Sequence, residues 1–301
     1  MKLENRFIEE NANKIFGESY SEIQYLGFKF RFAPTNFEQR LVSHKEIAEK
    51  IYSSLQSEGK DFNQSGINQI IREIINKIYN SFAQELEQDG ILRQTIEPNT
   101  TTRKNRWQIL YHWLWDNKYP RWLWHTLKEQ AQKKNSRLWI KFSDVDDSIK
   151  NARGIDINTE EIKKWKEQRQ NIIQKNHSLR IHLNLETEKY LLLFNKSLDF
   201  EQNETRYLVT PSLAFAPNCQ LTELNKIIPQ PEAICPDIKF KTPGVEEFMG
   251  ILVDDPIDLS FLNPHEDEPI LNWSGEHLKE VSELLEQRED WQVFYKEFKV
   301  V

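Results

Sequence analysis

Two cysteines, Cys219 and Cys235, share the C-terminal half of the chain with His177 and His182. A thiol next to an imidazole can lose its proton to that base and then attack a carbonyl carbon. Neither cysteine stands in a nucleophile elbow or in a papain-like or caspase-like context. The phosphate-binding, zinc-protease, dinucleotide and kinase motifs are missing as well. A cysteine-dependent enzyme is therefore the last of three readings, and no catalytic residue is assigned. Two thiols alone cannot complete a structural zinc site. The stretch Asp254–Glu268 holds six carboxylates, Asp254, Asp255, Asp258, Glu266, Asp267 and Glu268, and no lysine or arginine. Oxygen clusters suit calcium or magnesium, but the spacing fits no EF-hand. A solvated loop is the simpler expectation, with His265 as its one imidazole. No metal and no cofactor are expected.

The segment Arg103–Lys141 is chemically more distinctive. It carries ten lysines and arginines against two acids, together with six of the nine tryptophans, His112 and His125. Cations neutralise phosphates and indoles stack on unpaired bases. The candidate binding surface comprises Arg103, Arg106, Trp113, Arg121, Trp122, Trp124, Lys133, Lys134 and Arg137. The same residues equally describe a helix-bundle core whose edges are covered by lysine stems. No turn signature marks a helix-turn-helix.

These residues need elements to position them. Ser43 and Glu46 have the spacing of a capping box, followed by Ile47, Ile51, Tyr52 and Leu55 at helical spacing. Ser65 is placed to cap a second helix with an apolar face from Ile67 to Leu86, closed by Asp89-Gly90. Upstream of both, Ile23–Phe32 reads as a short strand. Pro120 is expected to divide the tryptophan segment into two helices. Asn158 opens a charged helix that runs through Trp165 to about Ile173. From Ser178 the period becomes two: Leu179, Ile181, Leu183 and Leu185 alternate with polar residues. Further strands are expected at Tyr190–Phe194, Arg206–Thr210, Ile238–Phe240, Glu247–Val253 and Trp291–Val300, with a helix from Ser274 through Leu285.

The charge divides the chain in a similar way. Residues 1–102 carry a net of -3, residues 103–175 a net of +8, and residues 176–301 a net of -12. A basic middle can meet an anionic partner, or the acidic part of its own chain. The 301 residues are 38% hydrophobic and 29% charged, polar but with apolar residues enough for a core. Nine glycines are too few for glycine-rich phosphate loops. No apolar run approaches a membrane span, and the start Met1-Lys2-Leu3-Glu4-Asn5 has no signal core. The expectation is a cytoplasmic protein with no membrane partner.

A strand is followed by Tyr190-Leu191-Leu192-Leu193-Phe194-Asn195, then Leu208-Val209-Thr210-Pro211-Ser212, Ile227-Ile228-Pro229 and Pro243-Gly244-Val245-Glu246-Glu247-Phe248. In this order of motifs residues 179–255 resemble a bacterial β-rich domain of unknown function that is found appended to caspase-like peptidases and serine/threonine kinases. The resemblance implies a small antiparallel β-sandwich and carries over no catalytic residue. The N-terminal half has no such resemblance. The fold class expected is α+β: a helical domain over 1–175 followed by a β-sandwich-like domain over 176–301, with the boundary near 176. The function expected is that of a non-enzymatic adaptor or regulatory protein binding a protein partner, in bacterial signalling or defence. The alternative is a nucleic-acid-binding protein using 103–141.

Overall fold

The computed structural model describes residues 3–17, 21–34, 42–96, 106–134, 139–145 and 171–301. Its class is α+β, with helices concentrated in the first part of the chain and strands in the second. The chain packs as two units, Met1–Trp122 and Leu123–Val301. This division lies well before residue 176. The reason is that Trp124 stacks on Trp273, Trp139 is buried in the core of the second unit, and the strand after it pairs with Leu179–Leu183. No helix among the described residues is long and apolar enough to cross a membrane.

The first unit contains α1 (Leu3–Phe16), α2 (Glu22–Phe32), α3 (His44–Gln56), α4 (Ile67–Ser81), α5 (Ala83–Gln88), α6 (Arg93–Ile96) and α7 (Arg106–His112). Helix α3 starts on the expected capping box: Ser43 Oγ accepts from the Glu46 amide at 3.2 Å and Glu46 Oε2 accepts from the Ser43 amide at 2.8 Å. The expected strand at Ile23–Phe32 is helix α2. Its aromatic and β-branched residues suit a strand, but Ser21 caps the segment and Gly27, Phe28, Arg31 and Phe32 bury one helical stripe. Gly27 lets α2 approach α4, since a Cβ there would lie 2.9 Å from Ile74 Cδ1. Ser65 does not cap α4. It bonds Asn63 at 2.7 Å within a short 3-10 turn, and the helix begins at Ile67. The apolar stripe to Leu86 is interrupted at Phe82, whose backbone leaves helical geometry between α4 and α5.

Pro120 does not divide the tryptophan segment. Helical backbone continues from Arg106, through a π-helical stretch at Trp113–Lys118, into α8 (Tyr119–Lys134). The Tyr119 amide reaches back to the Leu114 carbonyl, a five-residue step. This wider spacing accommodates a ring that would clash in a regular helix. The charged helix expected at Asn158 begins outside the described residues, and Ile172–Ile173 is a strand.

The second unit holds two sheets. The smaller has the order β1-β3-β6, antiparallel throughout, from β1 (Ile140–Asp144), β3 (Leu179–Leu183) and β6 (Ile227–Ile228). The larger has the order β2-β8-β7-β4-β5, from β2 (Ile172–Ile173), β4 (Tyr190–Asp199), β5 (Glu204–Thr210), β7 (Gly244–Val253) and β8 (Trp291–Val300). Its pairs are antiparallel except β2 with β8. The expected strand at Ile238–Phe240 contributes a single bridge to Leu179, because Pro236 and Pro243 flank it and lack amide donors. Helix α9 (Gly275–Leu285) starts at Ser274 as expected.

One core joins the sheets: Ile140, Ile181, Leu183 and Ile228 from the smaller, with Leu191, Leu193, Phe248 and Phe298 from the larger. Trp139 is fully buried in it, lying flat enough on β7 that a Cβ at Gly250 would stand 2.9 Å from its ring. A glycine inside a strand normally weakens it; here it is the hollow that receives the indole. Gly250→Ala is therefore expected to destabilise the protein by ~1–3 kcal/mol in urea unfolding, the usual cost of overpacking a core.

In the first unit, Trp113 is fully buried and its indole donates to Asp89 Oδ2 at 2.7 Å. Arg121 grips the same carboxylate through Nη1 at 2.9 Å and Nη2 at 2.5 Å. Burial pulls the Asp89 carboxyl up, but Arg121 and Trp113 outweigh it and hold it below the ordinary value. A depressed carboxyl stabilises the fold above its unfolded value, and that stability is lost as pH falls through the folded one. Asp89→Ala is expected to cost ~1–3 kcal/mol at neutral pH, with the wild-type advantage shrinking in acid, read from urea midpoints across pH.

Candidate ligand-binding site

The strand period puts alternate side chains of β4 on opposite faces of the sheet. Leu191, Leu193, Asn195 and Ser197 turn toward the smaller sheet. On β7 the corresponding set is Glu246, Phe248 and Leu252, with Ser197 directly opposite Glu246 and Asn195 opposite Phe248. At Asn195 and Glu246 this face changes from apolar to polar while staying buried. A cavity of about 470 Å³ opens there between the sheets. Its walls include Tyr207, Phe215, Phe240 and Phe248, and exposed Thr205, Lys239 and Lys241 stand around it.

Glu246 is the chemical centre of this cavity. Its side chain accepts from Asn195 Nδ2 at 2.9 Å and from Ser197 Oγ at 2.7 Å. Both donors are neutral. The residue is only 4% exposed. Burial raises its carboxyl above the ordinary glutamate value, against the opposing pull of Asn195 and Ser197. The backbone at Asn195 is also tied down: its main-chain carbonyl accepts the Trp273 indole N–H at 3.0 Å.

The next residue shows the opposite chemistry. Glu247 points to the other face of β7, where Lys196 Nζ lies at 2.9 Å, Lys128 Nζ at 3.0 Å and the Tyr295 hydroxyl donates to it. Burial raises its carboxyl, but Tyr295 and the two lysines reverse the effect and leave it low. Above this network Trp124 stacks on Trp273 at 5.1 Å, and Lys196 lies 5.7 Å from the Trp124 ring. Glu247 thus behaves as a neutralised structural anion. Glu246 has no cation against it among the described residues.

The residues singled out by composition are placed differently. Trp113 and Trp124 are buried. Trp122 is half-buried, donates to Glu10 at 2.6 Å and stacks on Tyr119 at 5.8 Å. Trp107 and Trp139 are also buried and Trp115 is half-buried, so none of the six indoles of this segment is exposed. Arg121 is exposed but committed to Asp89. Arg106 is half-buried at the start of α7. Lys133 and Lys134 close α8, and Arg103 and Arg137 lie outside the described residues. The unit boundary separates Trp113, Arg121 and Trp122 from Trp124.

Cys219 and Cys235 are free and half-buried. Burial pushes the Cys219 thiol up, away from the thiolate form. His182 bonds Ser143 at 2.7 Å and His177 bonds Asp144 at 3.2 Å. In the acidic stretch Asp254 pairs with Lys189 at 3.1 Å. Among the described residues no group of three histidine, cysteine or carboxylate side chains is gathered as a metal site would require. Asn195, Ser197 and Glu246 are absent from the candidate surface drawn from composition. Their signal was two polar residues continuing the inward period of Leu191 and Leu193, and a pair of glutamates in an apolar strand.

Compared with known proteins, the chain matches no protein-family model, no curated protein and no solved structure.

A carboxyl raised by folding binds a proton in the native state that the unfolded chain has released, so native stability falls as pH climbs from the ordinary glutamate value to the raised one. Glu246→Gln keeps an oxygen for Asn195 and an amide for Ser197 without that titration. The variant is expected to gain stability relative to wild type as pH rises through this window. Paired urea melts from acid to neutral pH measure the difference.

Proposed function

We propose that this protein acts by binding rather than by catalysis, as an adaptor or regulatory protein whose second unit is the recognition module. The observation that carries the reading is the cavity between the sheets, with buried Glu246 in its lining and aromatic walls around it. Ligand sites are typically concave and largely apolar, with a few fixed polar groups. Asn195, Ser197 and Glu246 supply those groups, and their hydrogen bonds hold them in place. The resemblance of residues 179–255 to a β-rich domain appended to bacterial peptidases and kinases supports the same role, and with it a cytoplasmic setting in signalling or defence. That argument is one of association.

The buried tryptophans bear on the alternative. Single-stranded nucleic acid needs indole faces open to stacking, and the indoles of this segment are engaged in packing. A protein partner is the better fit.

The test is capture from an extract of the native host with the immobilised full chain, alongside a Thr205→Trp variant. Thr205 is an exposed residue of the cavity lining, so a bulky residue there fills part of the space with little disturbance of the core. Wild type is expected to retain a protein that the variant, melting at the same temperature, does not. Capture of nothing, or equal capture by both, overturns the reading.

A further inference from the structure

A carboxylate moved out of water carries a large desolvation cost unless a cation accompanies it. The two consecutive glutamates of β7 show both sides of this rule. Glu247 has Lys128 and Lys196 within 3.0 Å. Glu246, at 4% exposure, has only the Asn195 amide and the Ser197 hydroxyl. Each of its oxygens accepts one of these bonds, which leaves acceptor capacity on a side chain that lines the cavity. The side chain that would complete this arrangement is a cation entering from the cavity.

The walls suit the same guest. Tyr207, Phe215, Phe240 and Phe248 line the space. Aromatic faces attract ammonium groups through the ring quadrupole and bury methylenes at little cost. The exposed side of the cavity has the opposite charge. Lys239 is occupied by Asp237 at 3.0 Å. Lys241 is exposed and makes no ion pair among the described residues. The cavity lining therefore combines a buried anion, aromatic walls and, among its exposed residues, a cation.

We propose that this cavity binds a linear zwitterion, an alkylammonium group seated on Glu246 with its carboxylate held outside by Lys241. The inference rests on the second unit being a binding module and names the chemistry that module reads. Two sources supply such a group: a free ω-amino acid, and the C-terminal lysine of a partner protein, whose side chain and terminal carboxylate have the same order of charges.

Calorimetric titration of the full chain with 6-aminohexanoate, pentylammonium and hexanoate tests it. Binding is expected for 6-aminohexanoate, more weakly for pentylammonium, and not for hexanoate. Glu246→Gln should weaken both amines by about tenfold or more, the loss of a charge-assisted bond. Lys241→Ala, at an exposed site, should weaken 6-aminohexanoate and leave pentylammonium unchanged. A peptide ending in lysine that binds more tightly than 6-aminohexanoate assigns the partner-protein source, and loss of that advantage on amidating its terminus confirms the carboxylate contact. Tighter binding of the free amino acid assigns the metabolite. The proposal is overturned if neither amine binds, if hexanoate binds best, or if Glu246→Gln changes nothing. Should the amines fail while protein capture remains sensitive to Thr205→Trp, the zwitterion falls and the binding module stands.

Discussion

The second unit depends on one strand being buried on both faces. β7 is hydrogen-bonded to β4 and β8 along its whole length, and Met249, Ile251 and Val253 are as buried as Phe248 and Leu252. A strand so enclosed exposes little on either side, so its polar residues need partners inside the protein. Glu246 and Glu247 are the two places where that demand is severe. The sheet meets it with lysines and a tyrosine on one face, and with an asparagine and a serine on the other. The cavity lies on the side where the answer is incomplete in charge.

A similar economy governs the first unit. Helices α2 and α4 meet at Gly27, and the face of α4 is a run of isoleucines. The polar groups that burial would strand are collected on a few carboxylates. Asp89 takes the Trp113 indole and the Arg121 guanidinium, while Glu85 takes Lys118 at 2.6 Å and Lys14 at 3.2 Å. Arg31 is handled differently: it is 1% exposed, lies 4.2 Å from the Trp107 ring and donates to the Val42 carbonyl at 2.8 Å. Burial lowers its pKa to about 10, so it remains a cation at neutral pH.

Periodicity made most of the fold legible. The α+β class, the Ser43–Glu46 capping box and the places of the long strands follow from spacing; β8 has the expected bounds, Trp291–Val300, whereas β4 runs past the expected Phe194 to Asp199 and β7 starts at Gly244 rather than Glu247. The strand read at Ile23–Phe32 failed because local propensity was outweighed by a buried stripe that forms only against other helices. Pro120 misled because the π-helical turn before it has no local signature. The site was the least legible part. Charge and tryptophan density drew the eye to 103–141, yet density says nothing of which way an indole points. Glu246 and Asn195 lie 51 positions apart and meet only through the β4–β7 register. Composition is blind to that register, whereas the inward period of β4 carried a trace of it.

The contact between Trp139 and Gly250 has a consequence for descent. A large ring and an empty position face each other across the sandwich, and neither has a neutral change available alone. Enlarging the glycine meets the ring, and shrinking the tryptophan leaves a void where the two sheets join. The contact therefore ties a change at one position to a change at the other. In distant relatives a smaller residue at the first position should accompany a larger one at the second, which makes this correlated exchange a register mark for aligning sequences too diverged to match elsewhere.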